Sequence, residues 1–207
     1  MLHRRLWNQH IDLAQACLDH PFVRGLGSGS LDDSAFKRYV AQDAFFLAAF
    51  TRAYALCAAK CDSLDDARVF HSLMGGGFDE LRLHATYAKA MDIDLEQVRP
   101  YKQTSAYVHF LLHMAWEREV GEIVSALAPC MQLYAFLGQS LKEKPIKNNP
   151  YQAWIDTYAG NDFAALVAQL NGLLDRLAND SHRVHDANRY AMQCEFDFFT
   201  APLEAIV

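Results

Sequence analysis

The chain has 207 residues, of which 52% are hydrophobic and 21% charged, and its formal net charge at pH 7 is −6. This composition is typical of a globular protein and excludes a disordered or low-complexity chain. A negative net charge without clusters of Lys or Arg argues against nucleic acid or an anionic membrane as the main partner. The length favours one domain, residues 1–207.

Helical periodicity runs through the N-terminal region, where strand signals are almost absent. A first helix is predicted over residues 3–20, and the following "HP" pair ends it because the residue before proline disfavours the helical region. The stretch "GLGSGSLDDS" is expected to be a flexible loop. One residue of its "DDS" ending (Asp32, Asp33 or Ser34) is expected to cap the next helix.

That next helix, "FKRYVAQDAFFLAAFTRAYALCAAK", is apolar on most faces and is expected to be central and buried. A further helix is predicted over residues 67–91, with a kink or break at Gly75–Gly77. The remaining predicted helices cover residues 105–119, 121–141, 151–159, 162–178 and 181–203. The sequence therefore predicts a single-domain, all-α fold.

The cysteines bear on the cellular compartment. Their number, five, is odd, and no CxxC pair occurs, which argues against a disulfide framework. No stretch has the charge-free apolar length of a membrane span, and no signal-peptide core is recognisable. We therefore expect a cytoplasmic protein without a membrane partner.

Two acids interrupt apolar helical segments. Asp43 lies among aromatic residues in "YVAQDAFFLAAF", where an unpaired carboxylate is costly to bury; the alternative is an exposed acid on the helix flank. Glu195 lies in "YAMQCEFDFFTAPL" together with Asp197, which faces another side of the helix. Spacing alone does not choose between Glu195 and Asp197.

A thiol marks the third polar position. Cys130 precedes Tyr134 by four residues in "LAPCMQLYAFLG", so both lie on one helix face. A lone cysteine in a helix is usually a core residue. Pro129 favours a reactive thiol, because a free helix N-terminus beside it would stabilise the thiolate.

Two histidine-containing stretches offer a metal-binding alternative. "ELRLH" places Glu80 and His84 four residues apart, and "HRVHD" contains His182, His185 and Asp186. Such groups build di-iron sites in helical bundles. The repeated Glu-x-x-His pattern of those sites is missing, so no metal site is expected.

Taken together, these segments resemble the TenA/thiaminase II family, the aminopyrimidine aminohydrolases of thiamin salvage, over essentially the whole chain. The segments that carry the resemblance, in chain order, are "YVAQDAFFLAAF", "ELRLHATY", "TSAYVHFLL", "LAPCMQLYAFLG", "YQAWIDTYAG" and "CEFDFF". The resemblance implies a helical bundle of the haem-oxygenase-like type without haem or another cofactor. It also implies a homotetramer.

The implied activity is hydrolysis of 4-amino-5-aminomethyl-2-methylpyrimidine to the hydroxymethylpyrimidine and ammonia. Related enzymes also cleave thiamin, and the preferred substrate stays open. Residue by residue, the family's nucleophile corresponds to Cys130, its early acid to Asp43 and its late glutamate to Glu195, which selects Glu195 over Asp197. The family's pocket tyrosines correspond to Tyr107, Tyr134 and Tyr158.

The chain departs from the family pattern at one position, and two alternative functions stay open. Phe46 stands where many members have tyrosine, so the ring is kept and a hydroxyl is lost, which bears on substrate preference. The first alternative is a di-iron oxidase that uses Glu80, His84 and the late histidines. The second is a non-catalytic protein that binds a pyrimidine or regulates another process.

Overall fold

A computed structural model describes residues 1–204, apart from the side chain of Leu83. Within that part the chain forms ten α-helices and no β-strand, which confirms the predicted all-α fold. In chain order they are α1 (Leu2–Gln9), α2 (Ile11–Leu18), α3 (Pro21–Ser28), α4 (Asp33–Lys60), α5 (Leu64–Ala90), α6 (Lys102–Glu117), α7 (Val120–Lys142), α8 (Gln152–Tyr158), α9 (Asn161–Leu177) and α10 (His182–Thr200).

Helix α7 forms the centre of the bundle. It packs against α4, α6, α8, α9 and α10, and nearly all of its residues from Gly121 to Gly138 are buried. Helix α4 packs along α5 and α6 and contributes a second long buried face. Side chains at spacings of three and four residues from these two helices therefore meet inside the bundle.

Burial accounts for the composition of α7. Among residues 1–204, α7 is the one helix whose length and apolar composition would suit a membrane span. However, 78% of its most apolar stretch is buried inside the protein. Length and composition are therefore weak evidence for a span here, because the core helix of a bundle has the same properties.

The predicted first helix, residues 3–20, is interrupted in the structure. His10, at φ −114° and ψ 20°, separates α1 from α2. Pro21 then begins α3, where a missing N–H is harmless because the first turn has no acceptor for it. The "HP" pair is thus a helix start as well as a helix end.

The glycine-rich stretch that follows is partly helical, contrary to prediction. Its first four residues, 25–28, belong to α3, and Gly29 ends that helix at φ 71°. Such left-handed backbone favours glycine because it has no Cβ. The predicted cap of the next helix is confirmed, since the Asp32 carboxylate accepts a hydrogen bond from the Ser34 N–H at 3.0 Å.

Helix α5 passes through Gly75–Gly77 without a break, where the sequence predicted a kink or a break. Close packing explains one of these glycines. A Cβ on Gly77 would lie 2.6 Å from the Thr51 hydroxyl oxygen on α4, whereas a Cβ on Gly76 would make an ordinary contact with Leu166 on α9 at 3.4 Å. Gly77 therefore lets α5 approach α4 closely.

A glycine contact also positions part of the site described below. A Cβ on Gly138 of α7 would lie 2.6 Å from the carbonyl carbon of Tyr158 and 2.7 Å from the amide nitrogen of Ala159. We expect Gly138→Ala to lower the free energy of unfolding by about 1–3 kcal/mol, because backbone must move to admit the methyl group.

Gly75→Ala is the matched control on the neighbouring helix, because a Cβ there meets nothing within 4 Å. It should raise the free energy of unfolding by about 0.4–1 kcal/mol, since glycine is costly within a helix. Urea unfolding of both variants measures this difference. Equal midpoints for Gly138→Ala and the unsubstituted protein would contradict the close approach of α7 and α8.

Candidate active site

An internal cavity brings together side chains from α4, α5, α7, α8 and α9. Residues on one face of α4 and one face of α7 form most of its wall, at spacings of three and four residues. Five of the seven predicted site residues line it, together with Glu80: Asp43, Phe46, Cys130, Tyr134 and Tyr158. The other two, Tyr107 and Glu195, contact these residues from α6 and α10.

The cavity is small and lies next to a larger surface groove. Its volume is about 20 Å³, close to the space that one water molecule needs. A groove of about 670 Å³ on the surface shares Glu80 and Phe163 with it. A ring-sized ligand therefore requires movement of lining side chains, and Glu80 and Phe163 stand at the boundary that must open.

Glu195 is the inward-facing acid of α10. It is 1% exposed, and Tyr107 donates a hydrogen bond from its hydroxyl to Oε1 at 2.6 Å. Burial raises the pKa of Glu195 to about 8, partly offset by this hydrogen bond. Asp197 lies nearer the surface, where its carboxylate accepts a hydrogen bond from Gln193 at 3.0 Å.

Cys130 lies beside Glu195, and each side chain affects the pKa of the other. Burial raises the pKa of the Cys130 thiol well above its ordinary value, and the neighbouring carboxyls of Glu195, Glu80 and Asp43 raise it further. The predicted free helix N-terminus beside the thiol is wrong, because Pro129 lies inside α7. In the free protein the thiol form is therefore favoured.

Asp43 is buried, 3% exposed, rather than on an exposed helix flank. Burial raises its pKa to about 7. Its Oδ2 lies 3.1 Å from Nε2 of His84 on α5, and both side chains are almost completely buried. Burial lowers the pKa of His84, so a neutral imidazole is favoured.

Glu80 has a partner on α8. The Tyr158 hydroxyl donates a hydrogen bond to its Oε1 at 2.9 Å. Burial, and then the nearby Asp43 carboxyl, raise the pKa of Glu80 to about 7. Sequence reasoning treated Glu80 and His84 only as metal ligands, although their four-residue spacing also placed two polar groups on one helix face.

Aromatic rings surround the polar groups. The ring centroids of Tyr134 and Tyr158 are 4.8 Å apart, and Tyr39 donates a hydrogen bond to the Tyr134 hydroxyl at 3.2 Å. Phe46 packs against Tyr107 with a centroid distance of 4.9 Å. Sequence reasoning missed Tyr39, whose position four residues before Asp43 puts it on the same face of α4.

The histidine-containing stretches do not converge on a metal site. Within residues 1–204, no group of three or more His, Cys, Asp or Glu side chains is arranged to hold a metal ion. His185 lies at the surface, where its Nε2 is 2.6 Å from Asp180 Oδ1. Glu80 and His84 are engaged by Tyr158 and Asp43 instead.

Comparison with known proteins decides the family. The model of the TENA/THI-4/PQQC family matches residues 7–204. The chain belongs to this family. The predicted resemblance to TenA proteins is thereby confirmed.

Family members with known names share much of the chain. An aminopyrimidine aminohydrolase from Halalkalibacterium halodurans is 34% identical over 170 residues, which cover 79% of this chain and 76% of the relative. The mitochondrial bifunctional TH2 protein of Arabidopsis thaliana is 32% identical over 87% of this chain, but this region spans only 34% of that protein.

A solved structure of the family has the same fold. A protein from Silicibacter sp. TM1040, described as a TenA family transcription regulator, is 28% identical to this chain. The superposition has a TM-score of 0.91 and covers 98% of this chain and 96% of that protein. The TenA fold therefore extends over nearly the whole protein.

Proposed function

We propose that the protein is an aminopyrimidine aminohydrolase of thiamin salvage. Its substrate is 4-amino-5-aminomethyl-2-methylpyrimidine, and its products are the hydroxymethylpyrimidine and ammonia. The observation that carries the proposal is that a buried thiol, Cys130, and a buried carboxyl, Asp43, line one cavity, with the buried carboxyl of Glu195 beside the thiol. Relatives named aminopyrimidine aminohydrolase support the same reaction class.

Asp43 recognises the aminopyrimidine ring. A ring nitrogen beside an exocyclic amine matches the two oxygens of one carboxylate, and ionised Asp43 favours the protonated, electron-poor ring. Tyr107, Tyr134 and Tyr158 orient the ring and hydrogen-bond its edge, and Phe46 packs against it. The missing hydroxyl at Phe46 changes the hydrogen bonding available to the ring periphery and leaves the thiol chemistry intact.

Cys130 is the nucleophile in this scheme. Its thiolate adds to an electron-poor ring carbon, and the electron pair displaced into the ring then expels the aminomethyl nitrogen, which leaves as ammonia after protonation. Water adds to the exocyclic methylene that results, and expulsion of the thiolate restores the aromatic ring. The net change is replacement of the amine by a hydroxyl, so no redox partner or cofactor is needed.

Glu195 transfers the protons. Its raised pKa suits a group that gives a proton to the leaving amine and takes one from the incoming water at neutral pH. Its contact with Cys130 also makes it the acceptor for the thiol proton. The substrate carries an alkylammonium group, and a cation among three buried carboxyls lowers the pKa of each and of the thiol.

A steady-state assay of the aminomethylpyrimidine and thiamin side by side tests the function. The protein is first dialysed against a chelator, and hydroxymethylpyrimidine and ammonia are measured together. We expect equal molar yields of both products from the aminomethylpyrimidine. Ring binding without turnover would favour the non-catalytic alternative, and activity that returns only with added iron would favour the di-iron oxidase.

We further propose that residues 1–207 form one domain that assembles as a cytoplasmic homotetramer, with no nucleic acid or membrane partner. A continuous apolar core with side chains from all ten helices supports the single domain. All five cysteines are free, as a reducing compartment favours. The tetramer rests on the family resemblance, and light scattering tests it: a mass near 23.4 kDa would contradict it.

A further inference from the structure

His84 is a buried histidine that the proposed chemistry does not use. It is 6% exposed, its Nε2 lies 3.1 Å from Asp43 Oδ2, and its Nδ1 is buried without a hydrogen-bond partner in the described part of the chain. A buried ring nitrogen without a partner is costly. The contact with Asp43 is therefore the polar interaction that accounts for an imidazole at this position.

The protonation state of His84 follows from its surroundings. Burial favours the neutral imidazole, which carries one N–H. Ionised Asp43 has no proton, so of the two atoms 3.1 Å apart only Nε2 can carry one. Nδ1 is then an acceptor that is buried without a partner within the described part of the chain.

The contact with His84 matters because no other side chain within residues 1–204 is in polar contact with the Asp43 carboxyl. We propose that His84 is the positioning residue of Asp43: its Nε2 fixes the rotation of the carboxylate, so that both oxygens remain aligned with the ring nitrogen and exocyclic amine of an aminopyrimidine. This inference rests on the proposed function, because it assigns Asp43 to ring recognition.

The groups that face Asp43 make this role specific. Six other titratable side chains interact with the Asp43 carboxyl, and each is an acid: Tyr39, Glu80, Cys130, Tyr134, Tyr158 and Glu195. An ionised neighbour of this kind disfavours ionised Asp43. His84 is the basic side chain in contact with Asp43, with its Nε2 3.1 Å from Oδ2.

Three substitutions separate positioning from packing. His84→Gln keeps an N–H near the place of Nε2, His84→Asn is too short to reach Asp43, and His84→Leu removes all polar atoms. We expect His84→Gln to keep kcat/KM within about 3-fold, and the other two to lower it by about 10- to 100-fold, the range for a misplaced binding group. Affinity for the hydroxymethylpyrimidine product should fall by a similar factor.

The pH dependence of kcat/KM and of product binding also separates positioning from packing, because loss of packing alone would not shift it. Removal of a hydrogen-bond donor from a carboxylate raises its pKa, so the acidic limb of kcat/KM and of product binding should move to higher pH in His84→Leu. His84→Gln should keep the original limb. His10→Leu is the matched control, because His10 is equally buried but pairs with Asn188 at 2.9 Å and does not line the cavity; it should lower the melting temperature without moving the limb.

Product binding is measured by calorimetry from pH 5 to 9, alongside the kinetics. Together these measurements distinguish failure of the His84 proposal from failure of the proposed function. If the unsubstituted protein turns over and the acidic limb of folded His84→Leu does not move, the proposed role of His84 is overturned and the hydrolase function is kept. Loss of the same magnitude in His84→Gln and His84→Leu would also overturn it. Ring binding with a shifted limb but no turnover would retain His84 and remove the hydrolase, whereas no binding at all would remove both.

Discussion

Replacement of Cys130 by serine should abolish nearly all turnover while the protein still folds and binds the aminopyrimidine. An alcohol is a much poorer nucleophile than a thiol, and loss of a nucleophile that acts with its base lowers kcat by about 10³-fold or more. The serine hydroxyl fits the space of the thiol beside Glu195, so the fold should be kept. Asp43 and the tyrosines remain, so the dissociation constant of the product should change by less than about 3-fold.

Cys57→Ser is the matched control. Cys57 is completely buried on α4 and does not line the cavity. A serine hydroxyl there has no assigned role in the chemistry, so turnover should be retained, although a buried hydroxyl without a partner can cost about 1–3 kcal/mol of unfolding free energy. Circular dichroism, product titration and kinetics are measured on both variants. Near-normal turnover in folded Cys130→Ser would make Cys130 a core residue and remove the proposed mechanism.

Glu195→Gln should lower kcat by about 10²–10⁴-fold, the usual contribution of a general acid–base group. The amide keeps the size of the carboxyl and can still accept the Tyr107 hydrogen bond, but it cannot exchange protons. Asp197→Asn is the matched control two residues along α10. Asp197 contacts Gln193 at the surface side of the helix, so its loss should change kcat by less than about 3-fold. Comparable losses in the two variants would refute the assignment of Glu195.

Glu195→Gln should also change how the stability of the protein depends on pH. Glu195 titrates near pH 4.5 when unfolded and near 8 when folded, so between these values the folded protein binds more protons than the unfolded one. The contribution of Glu195 to stability therefore falls as the pH rises through this window. Glu195→Gln removes this contribution, so its melting temperature relative to the unsubstituted protein should increase from pH 5 to pH 8. A constant difference would mean that Glu195 does not have a raised pKa.

Much of the fold follows from local pattern. The apolar faces of α4 predicted a long buried helix, and the Asp32 cap was recognisable because its hydrogen bond is made within two residues. The errors occurred where one local signal has two outcomes. A proline such as Pro21 ends some helices and begins others. Gly75–Gly77 would weaken an isolated helix, but Gly77 here permits the close packing of α5 against α4.

The sequence by itself determined the all-α class and the residue types on each helix face, because helical spacing alone aligns Asp43 with Phe46 and Cys130 with Tyr134. The tertiary structure decided which groups are buried and what they contact. Tyr107 and Glu195 meet across 88 residues of chain, and His84 reaches Asp43 from another helix. The burial of Glu195, the raised pKa of Cys130 and the pairing of Asp43 depend on such distant neighbours, because removal of water from a side chain is a property of the packed helices around it and not of its own helix.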